Sequence, residues 1–321
     1  MIKRPKVSVV IPVYNVSKYI ETCARSLFEQ TLDDMEYLFV DDCTPDNSIE
    51  ILERVLKDYP NRINQVHIIK MPMNSGQAAV RKKGILSANG EYLIHCDSDD
   101  WVDTNAYKYL YDYAKEISSD ILFFEHKRVS NNKTLYYKRD IPCKNKVKLV
   151  SQMLSGYNDA NQLWGALVHY SLYKTDIKYP LNNQGEDSVI MLQYILGSTN
   201  MSIVHKYLYN YRQNPSSITK SNDAKINIKR TEDRLANRKL FLSIVENCNK
   251  PEYKSAIEVC RFRIRRMQFL NDGKTWSMKG YRLHLLLNPY FWYYLYISNN
   301  TVNKILRIFN FKYKSLTYEY K

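Results

Sequence analysis

The chain has 321 residues, of which 45% are hydrophobic and 25% charged, a composition typical of a globular protein with a sizeable core. It contains no uninterrupted apolar stretch of about 18 residues, which argues against a membrane-spanning helix. Its six cysteines form no CxxC pair and no His/Cys ligand spacing. The cysteines therefore argue against a disulfide framework or a zinc site and favour a reducing cytosol.

The formal net charge of +14 is unevenly distributed along the chain. Residues 1–120 carry a net charge of −5, residues 121–224 carry +6 and residues 225–321 carry +13. This asymmetry favours two separate roles over one diffuse basic surface. The basic end would attract an anionic partner, such as phospholipid head groups, a lipid pyrophosphate or nucleic acid; the alternative is an ordinary solvated surface.

The first 125 residues alternate the patterns of strands and helices. Short apolar runs predict the strands Val7–Ile11, Tyr37–Val40, Val66–Ile69, Tyr92–His95 and Ile121–Phe124. Helical spacing predicts helices from about Ser17, around Ile49–Leu56, and over Gly76–Ala88 and Asn105–Glu116. This alternation predicts right-handed βαβ units and an α/β fold with a mostly parallel sheet.

The pattern changes after about residue 125. Residues 126–150 are polar and basic, which favours a loop or a hairpin. Leu163–Tyr173 and Ser188–Leu196 are predicted as further elements around a central GED turn. From about residue 222 the pattern is helical. We therefore expect an α/β domain over residues 1–221 and a basic, aromatic-rich helical region over residues 222–321.

Polar clusters follow three of the predicted strands. Tyr14-Asn15 follows the first strand, Asp41-Asp42 ends the second, and Asp97–Asp100 follows the fourth. Parallel sheets bind ligands at the carboxyl ends of their strands. The sequence therefore predicts that these side chains share one crevice.

The segment HCDSDDW (His95–Trp101) places three carboxylates within four residues. Like charges this close are costly unless a cation neutralises them. Carboxylates on one loop suit a hard divalent cation that keeps open positions for phosphate oxygens. The alternative is a cluster at a helix N-terminus, where acidic residues are also favoured.

Three further residues have both a binding and a structural interpretation. The carboxylate of Asp42 can accept the imide N–H of a uracil or bind a ribose, or it can cap the following turn. Tyr14 can stack on a flat base or simply pack. Arg81, on the third predicted helix, can face a diphosphate or can be an ordinary solvated charge.

As an ordered set, these motifs resemble the family 2 glycosyltransferases, whose catalytic domain has the GT-A fold. The resemblance covers about residues 5–220. It rests on VSVVIPVYN (Val7–Asn15), SLFEQT (Ser26–Thr31), YLFVDDCTPDNS (Tyr37–Ser48), NSGQAAVRKKGI (Asn74–Ile85), GEYLIHCDSDDW (Gly90–Trp101), LWGALVHYSLY (Leu163–Tyr173), GEDSVIMLQY (Gly185–Tyr194) and YNYRQNPSSIT (Tyr209–Thr219).

The resemblance implies a nucleotide-sugar site. Asp42 would contact the nucleotide base, Tyr14 would contact its face, and Pro12 would shape the pocket. Arg81 and Ser98 would also contact the nucleotide-sugar. UDP is the nucleotide that the resemblance favours.

The resemblance also implies a metal and a base. Asp97 and Asp99 would be the acids of the DxD motif and would hold Mn²⁺ or Mg²⁺ against the diphosphate, with Asp100 sharing that role in some relatives. Asp187, in the GED turn, would be the general base, which implies inversion at the anomeric carbon. Arg212 and Ser217 would lie near the diphosphate or a closing loop.

Three residues depart from the pattern of the family. Cys43 follows the acidic pair where Gly or Ser is commoner, which gives a tight turn a bulkier side chain. His95 and Cys96 precede the DxD motif where aliphatic residues are usual. None of these changes removes a catalytic group.

The resemblance implies a glycan or lipid-linked acceptor, in the synthesis of a cell-surface polysaccharide on the cytoplasmic side of a bacterial membrane. Basic and aromatic residues over 261–321, in RFRIRRMQF (Arg261–Phe269) and YRLHLLLNPYFWYYLYI (Tyr281–Ile297), favour peripheral contact with that membrane. The alternative is packing of these residues on the catalytic domain.

Three other functions compete with an enzyme of this kind. A non-catalytic protein that binds a glycan or a lipid carrier on the same fold remains an alternative. No nucleic-acid partner is expected, because no zinc-finger spacing or RNP-like motif accompanies the basic charge. A Rossmann dehydrogenase is disfavoured because PVYN, and not GxGxxG, follows the first strand.

Overall fold

The computed structural model describes residues 4–130, 133–156, 159–213 and 224–271. Its strands are β1 Val7–Val13, β2 Met35–Asp41, β3 Val66–Lys70, β4 Tyr92–His95, β5 Trp101–Val102, β6 Ile121–Ser130, β7 Lys133–Tyr137, β8 Ala166–His169 and β9 Met201–Arg212. Its α-helices are α1 Ile20–Phe28, α2 Ser48–Leu56, α3 Gln77–Ser87, α4 Ala106–Glu116, α5 Lys146–Ser155, α6 Tyr170–Tyr173, α7 Glu186–Gly197, α8 Ala224–Asn247 and α9 Lys254–Asn271. Short 3-10 helices cover Pro60–Gln65, Leu163–Gly165 and Pro251–Tyr253.

The strands form one sheet in the order β3-β2-β1-β4-β8-β6-β9-β5, with β7 paired to β6. The half from β3 to β4 is parallel throughout. In the other half, β8 runs antiparallel to both of its neighbours, while β6 and β9 are parallel. This is the α/β architecture that the sequence predicts.

Each predicted strand of the first 125 residues is present. β1 and β2 are buried almost throughout because helices cover both faces of the sheet. Successive side chains of a strand point to opposite faces. Val9 accordingly packs in the core beneath α1, α2 and α4, and Val10 packs in the core formed with α3, α5 and α7.

Two local predictions differ from the structure. Helix α1 begins at Ile20 and not near Ser17, because residues 17–19 form a turn in which the Tyr19 N–H donates to the Val16 carbonyl oxygen at 2.8 Å. The loop or hairpin predicted over residues 126–150 is correct for the β6–β7 hairpin. It is wrong at its end, where α5 begins at Lys146.

The helical pattern predicted from about residue 222 is present as α8 and α9. These two helices pack on each other and on α5 and α7. Residues 272–321, including the aromatic segment Tyr281–Ile297, lie outside the described part of the chain. Among the residues that the structure describes, no helix has the length and apolar composition needed to span a bilayer.

Candidate active site

The turns that follow β1 and β2 are bonded to each other. The backbone N–H of Asn15 donates to Thr44 Oγ1 at 2.8 Å, and that of Val16 donates to Ser48 Oγ at 3.1 Å. Between these turns the Tyr14 side chain is 42% exposed. The ring that the sequence predicts to face a base is therefore accessible.

Pro12 lies within β1, a central strand, yet it breaks no pairing with β4. That pairing ends at Val10, so the missing N–H of Pro12 falls beyond it. Pro12 is half-buried beside Val40 of β2. Its predicted role in shaping a nucleotide pocket stays a prediction.

Asp42 directly follows β2 and is only 4% exposed. Its two carboxylate oxygens accept the backbone N–H groups of Ser75 and Gly76, at 2.7 and 2.8 Å. Gly76 has a φ of 81°, which favours glycine, and an added Cβ there would collide with the Asn183 amide. Asp42 therefore fixes the turn that begins α3. A nucleotide base bound to Asp42 would have to share the carboxylate oxygens with that turn.

Arg81 is buried inside the site and is not a solvated helix charge. Its guanidinium is 1% exposed and lies near three carboxylates. Nη2 is 3.0 Å from Asp97 Oδ1, and Nε is 3.1 Å from Asp187 Oδ1 and 3.4 Å from Glu186 Oε1. Burial alone lowers the pKa of Arg81, but the charges of Asp187, Asp97 and Glu186 outweigh it and hold that pKa above its ordinary value.

Asp187 occupies the first turn of α7, which begins directly after Gly185. Its Oδ1 is buried and makes an ion pair with Arg81 without an aligned hydrogen bond. The side chain is nevertheless 21% exposed, so other atoms of it reach solvent. Burial raises the pKa of Asp187, the charge of Asp97 raises it further, and Arg81 opposes both. A raised pKa makes the carboxylate a stronger base, which suits a role in proton transfer.

The acids 97–100 do not cap a helix, because the short strand β5 follows them and α4 begins only at Ala106. Asp97 and Asp99 remain partly exposed, whereas Ser98 and Asp100 are buried. Burial, and then the charge of Asp97, raise the pKa of Asp99 to about 6. The raised pKa means that the charged form of Asp99 is unfavourable here, and a cation beside it would stabilise that form.

The fit of a divalent metal can be tested against these oxygens. Asp97 and Asp99 offer hard carboxylate ligands, but Asp97 gives one oxygen to Arg81. Within the described ranges, no group of three or more His, Cys, Asp or Glu side chains is arranged to hold a metal. The pair thus fits a cation whose remaining ligands come from a diphosphate and water, and not a metal held by protein alone.

The residues before the acids adapt to the buried Arg81. His95 Nδ1 lies 3.4 Å from Arg81 Nη1, and burial followed by the charge of Arg81 lowers the pKa of His95, which is therefore neutral. Cys96 is fully buried beside Cys23, with 3.9 Å between the sulfur atoms. Both departures from the family pattern are therefore accommodated in the core.

Strand β9 binds the acidic loop from the other side. The backbone N–H of Arg212 donates to Asp100, and its Nε donates to the Asp99 carbonyl oxygen at 2.8 Å. The Arg212 guanidinium also lies 4.6 Å from the Trp101 ring. Arg212 therefore contacts the acidic loop, and its predicted position near a diphosphate stays a prediction; Ser217 lies outside the described residues.

A cavity of about 970 Å³ lies next to this site between α1 and the start of α4. Its lining includes Trp101, Asn105, Tyr109 and Lys206, and none of the acids Asp42, Asp97 or Asp187. The cavity therefore meets the candidate active site only at Trp101.

The structure brings together most of the predicted residues. Asp42 is joined to α3 through Gly76, α3 carries Arg81, and Arg81 contacts Asp97 and Asp187. The residues that the sequence did not single out are Glu186, Tyr209 and Asn183. Glu186 stands in the GED motif and Tyr209 begins the YNYRQNPSSIT motif, but nothing in the sequence pairs Tyr209 with Asp97, which lies 112 residues away.

Comparison with known proteins identifies the family. The profile of glycosyl transferase family 2 matches residues 8–177. The chain belongs to this family. The uncharacterized glycosyltransferase EpsJ of Bacillus subtilis is 30% identical over 67% of the chain and 63% of its own length. The poly(ribitol-phosphate) β-glucosyltransferase of Bacillus spizizenii is 32% identical over 64% of the chain, but the match spans only 32% of that protein.

Solved structures confirm the GT-A fold. S. aureus TarS 1-349 in complex with UDP has a TM-score of 0.63 at 19% identity and covers 95% of this chain and 86% of that one. The mannosyltransferase PcManGT of Pyrobaculum calidifontis, in complex with GDP-Man and Mn²⁺, has a TM-score of 0.53 at 13% identity, with coverage of 92% and 86%. At these identities the likeness concerns the fold alone.

Proposed function

We propose that this member of glycosyl transferase family 2 is a hexosyltransferase that moves a sugar from UDP to an acceptor hydroxyl with inversion. The observation that carries the proposal is the position of Arg81, which holds Asp97 and Asp187 against one guanidinium. An acid suited to a metal–diphosphate and an acid suited to proton removal are thereby both held within ion-pair distance of the same side chain.

The donor half of the site consists of the turns at the ends of β1, β2 and β4. Tyr14 would present its exposed ring to the nucleotide base, and the Asp42 carboxylate, although bonded to the turn before α3, keeps lone pairs for an imide or ribose donor. Asp97 and Asp99 would hold Mn²⁺ or Mg²⁺, which when bound supplies positive charge to the leaving diphosphate.

Asp187 is proposed as the base that takes the proton of the acceptor hydroxyl. That hydroxyl is a weak nucleophile, so its proton must leave as the new bond forms. The ion pair with Arg81 keeps the Asp187 carboxyl group oriented. The raised pKa of Asp187 makes its carboxylate a better acceptor of the proton. A single base opposite the leaving group gives inversion at the anomeric carbon.

The acceptor is proposed to be a glycan or a lipid-linked saccharide, used in cell-surface polysaccharide synthesis at the cytoplasmic face of the membrane. The names of relatives support this class, since one acts on poly(ribitol-phosphate) and another is a putative teichuronic acid biosynthesis glycosyltransferase. The basic charge of residues 225–321 supports attraction to an anionic surface.

The described part of the C-terminal region packs on the catalytic domain. On α9, Ile264 is buried in the same core as residues of α5 and α7, and Arg238 of α8 donates to the Met153 carbonyl oxygen of α5 at 3.0 Å. We therefore assign the proposed membrane contact within 261–321 chiefly to residues 272–321, and keep residues 1–221 as the proposed catalytic domain.

The test is release of nucleoside diphosphate from a panel of nucleotide-sugars, with and without Mn²⁺. We expect metal-dependent release from a UDP-sugar, strongly reduced in Asp99→Asn. Unchanged release in that variant, or release from no member of the panel, would refute the proposal. A non-catalytic binding protein would show donor binding without release.

A further inference from the structure

The acidic loop 97–100 is held in place by a strand that is distant in sequence. Strand β5, which directly follows the loop, pairs with β9 through Trp101 and Asn210 and through Val102 and Tyr209. Tyr209 and Arg212 of β9 then reach back to the loop itself. The conformation of the acids therefore depends on β9.

The two ends of the loop meet at one hydroxyl group. Tyr209 Oη donates to Asp100 Oδ2 at 2.7 Å and accepts the backbone N–H of Asp97 at 3.0 Å. A phenolic hydroxyl has one donor and can also accept, so both of these contacts can form at once. The Tyr209 hydroxyl thus links the first acid of the loop to the last.

The ring of Tyr209 has little freedom to move. It is 1% exposed and stacks on the Trp164 ring, with 4.5 Å between centroids and 12° between planes. Trp164 is 5% exposed and is itself fixed in the core. The hydroxyl is therefore presented to the loop at a set position.

Asp100 differs from the other two acids in its partners. One oxygen accepts from Tyr209, and the other accepts the backbone N–H of Arg212 at 2.7 Å. Asp100 is 1% exposed, whereas Asp97 and Asp99 are partly exposed. Both carboxylate oxygens of Asp100 therefore accept hydrogen bonds from β9.

We propose that Tyr209 is a positioning residue of the cation site: its hydroxyl holds Asp100 out of the ligand set and fixes the backbone from which Asp97 and Asp99 reach the cation. This role rests on the proposed function and refines it. The ligands are then two acids and not three, and β9 sets the distance between them.

The test is Tyr209→Phe, which removes the hydroxyl but keeps the ring that stacks on Trp164. The matched control is Tyr211→Phe on the same strand. Tyr211 also stacks on Trp164, with 6.0 Å between the ring centroids, and its hydroxyl takes no part in the hydrogen bonds that join Tyr209 to Asp100 and Asp97. Calorimetric titration of Mn²⁺ into each protein with saturating UDP measures cation affinity directly, and thermal unfolding without metal measures stability.

We expect Tyr209→Phe to weaken Mn²⁺ binding by about 10- to 100-fold, the range found for residues that orient metal ligands. Tyr211→Phe should bind Mn²⁺ as the wild type does. In the same titration, Asp100→Asn should retain more affinity than Asp99→Asn, because Asn can still accept one of the two hydrogen bonds and Asp99 is a ligand.

Three outcomes would overturn the proposal. They are equal Mn²⁺ affinity in Tyr209→Phe and wild type, equal losses in Tyr209→Phe and Tyr211→Phe, or a loss in Asp100→Asn as large as in Asp99→Asn. Failure of the proposed function has a different result, namely wild-type protein that binds UDP and Mn²⁺ but releases no nucleotide from any sugar donor.

Discussion

The two sides of the candidate site are built in different ways. The donor side comes from turns that directly follow β1, β2 and β4, so its residues lie beside their own strands in sequence. The opposite side comes from α7 and β9, which reach the acids through contacts between residues far apart in the chain, such as Asp97 with Tyr209. The first side is formed by local structure, and the second depends on tertiary packing.

Arg81 joins these two sides, and its replacement should have the largest effect. Arg81→Met keeps a buried side chain of similar length but leaves Asp97, Asp187 and Glu186 without their cation. Removing one partner of a buried ion pair costs about 3–5 kcal/mol. We expect a loss of that order in the free energy of unfolding, measured by urea denaturation, together with loss of donor hydrolysis.

The control for this prediction is Lys83→Met on the same helix, where the side chain is exposed. It should change stability by less than about 0.5 kcal/mol. If Arg81→Met unfolded no more easily than Lys83→Met, the guanidinium would not be what holds the two sides together.

Asp187 tests the α7 side alone. Asp187→Asn removes the proposed base, and the transfer rate should fall by about 10²- to 10⁴-fold while binding of UDP persists. In the wild type, transfer should increase with pH, because the carboxyl must lose its proton to act. Since burial and the charge of Asp97 raise the pKa of Asp187, the midpoint of the pH profile should lie above 3.8, the ordinary pKa of Asp.

Ser188→Ala, at the next position of α7, is the control and should retain transfer. An Asp187→Asn protein that transferred sugar at the wild-type rate, with the same pH profile, would show that proton removal occurs elsewhere. Retained UDP binding with lost transfer would instead separate the two sides functionally.

Replacing Asp99, on the donor side, should change the free energy of unfolding by less than Arg81→Met does, and should raise it where Arg81→Met lowers it. The folded-state pKa of Asp99 is about 6, above the ordinary 3.8. The folded protein therefore binds the extra proton, and stability falls as pH rises from about 3.8 through 6. With metal removed by a chelator, Asp99→Asn should raise the free energy of unfolding at pH 7.5 by about 1–2 kcal/mol, below a ceiling of about 3 kcal/mol.

Below about pH 3.8 the gain should disappear, because Asp99 is then protonated in both states. Asp97→Asn is the contrasting variant, since it weakens an ion pair with Arg81 and should destabilise the protein. Equal effects of the two substitutions at pH 7.5 would mean that Asp97 and Asp99 do not differ in their surroundings.

The contrast between the two sides also explains what the sequence predicted. The strands, and the acids at their ends, follow from apolar runs and βαβ spacing, which are local patterns. For Arg81 the ordinary expectation was a solvated charge, because helix periodicity does not show that Asp97 and Asp187 lie opposite. The roles of Tyr209 and Asn183 required the fold itself, since their partners Asp97 and Ala78 lie 112 and 105 residues away.

Cys43 provides the smallest test, because the strain there is local. It has a φ of 55°, in the left-handed region that favours glycine, and its thiol contacts the Met71 carbonyl oxygen at 3.1 Å. The left-handed conformation costs a residue with a Cβ about 1–2 kcal/mol, and glycine avoids this cost. Glycine also has more conformational freedom in the unfolded state, which offsets part of the stabilisation. Cys43→Gly should therefore raise the free energy of unfolding by about 0.5–1 kcal/mol.

The control is Asn249→Gly, between α8 and α9, where φ is 48°. Asn tolerates this conformation, so its replacement should gain less. If Cys43→Gly were destabilising, the thiol contact would outweigh the strain, and Cys43 would be a fixed part of the turn next to Asp42 and not a tolerated departure from the family.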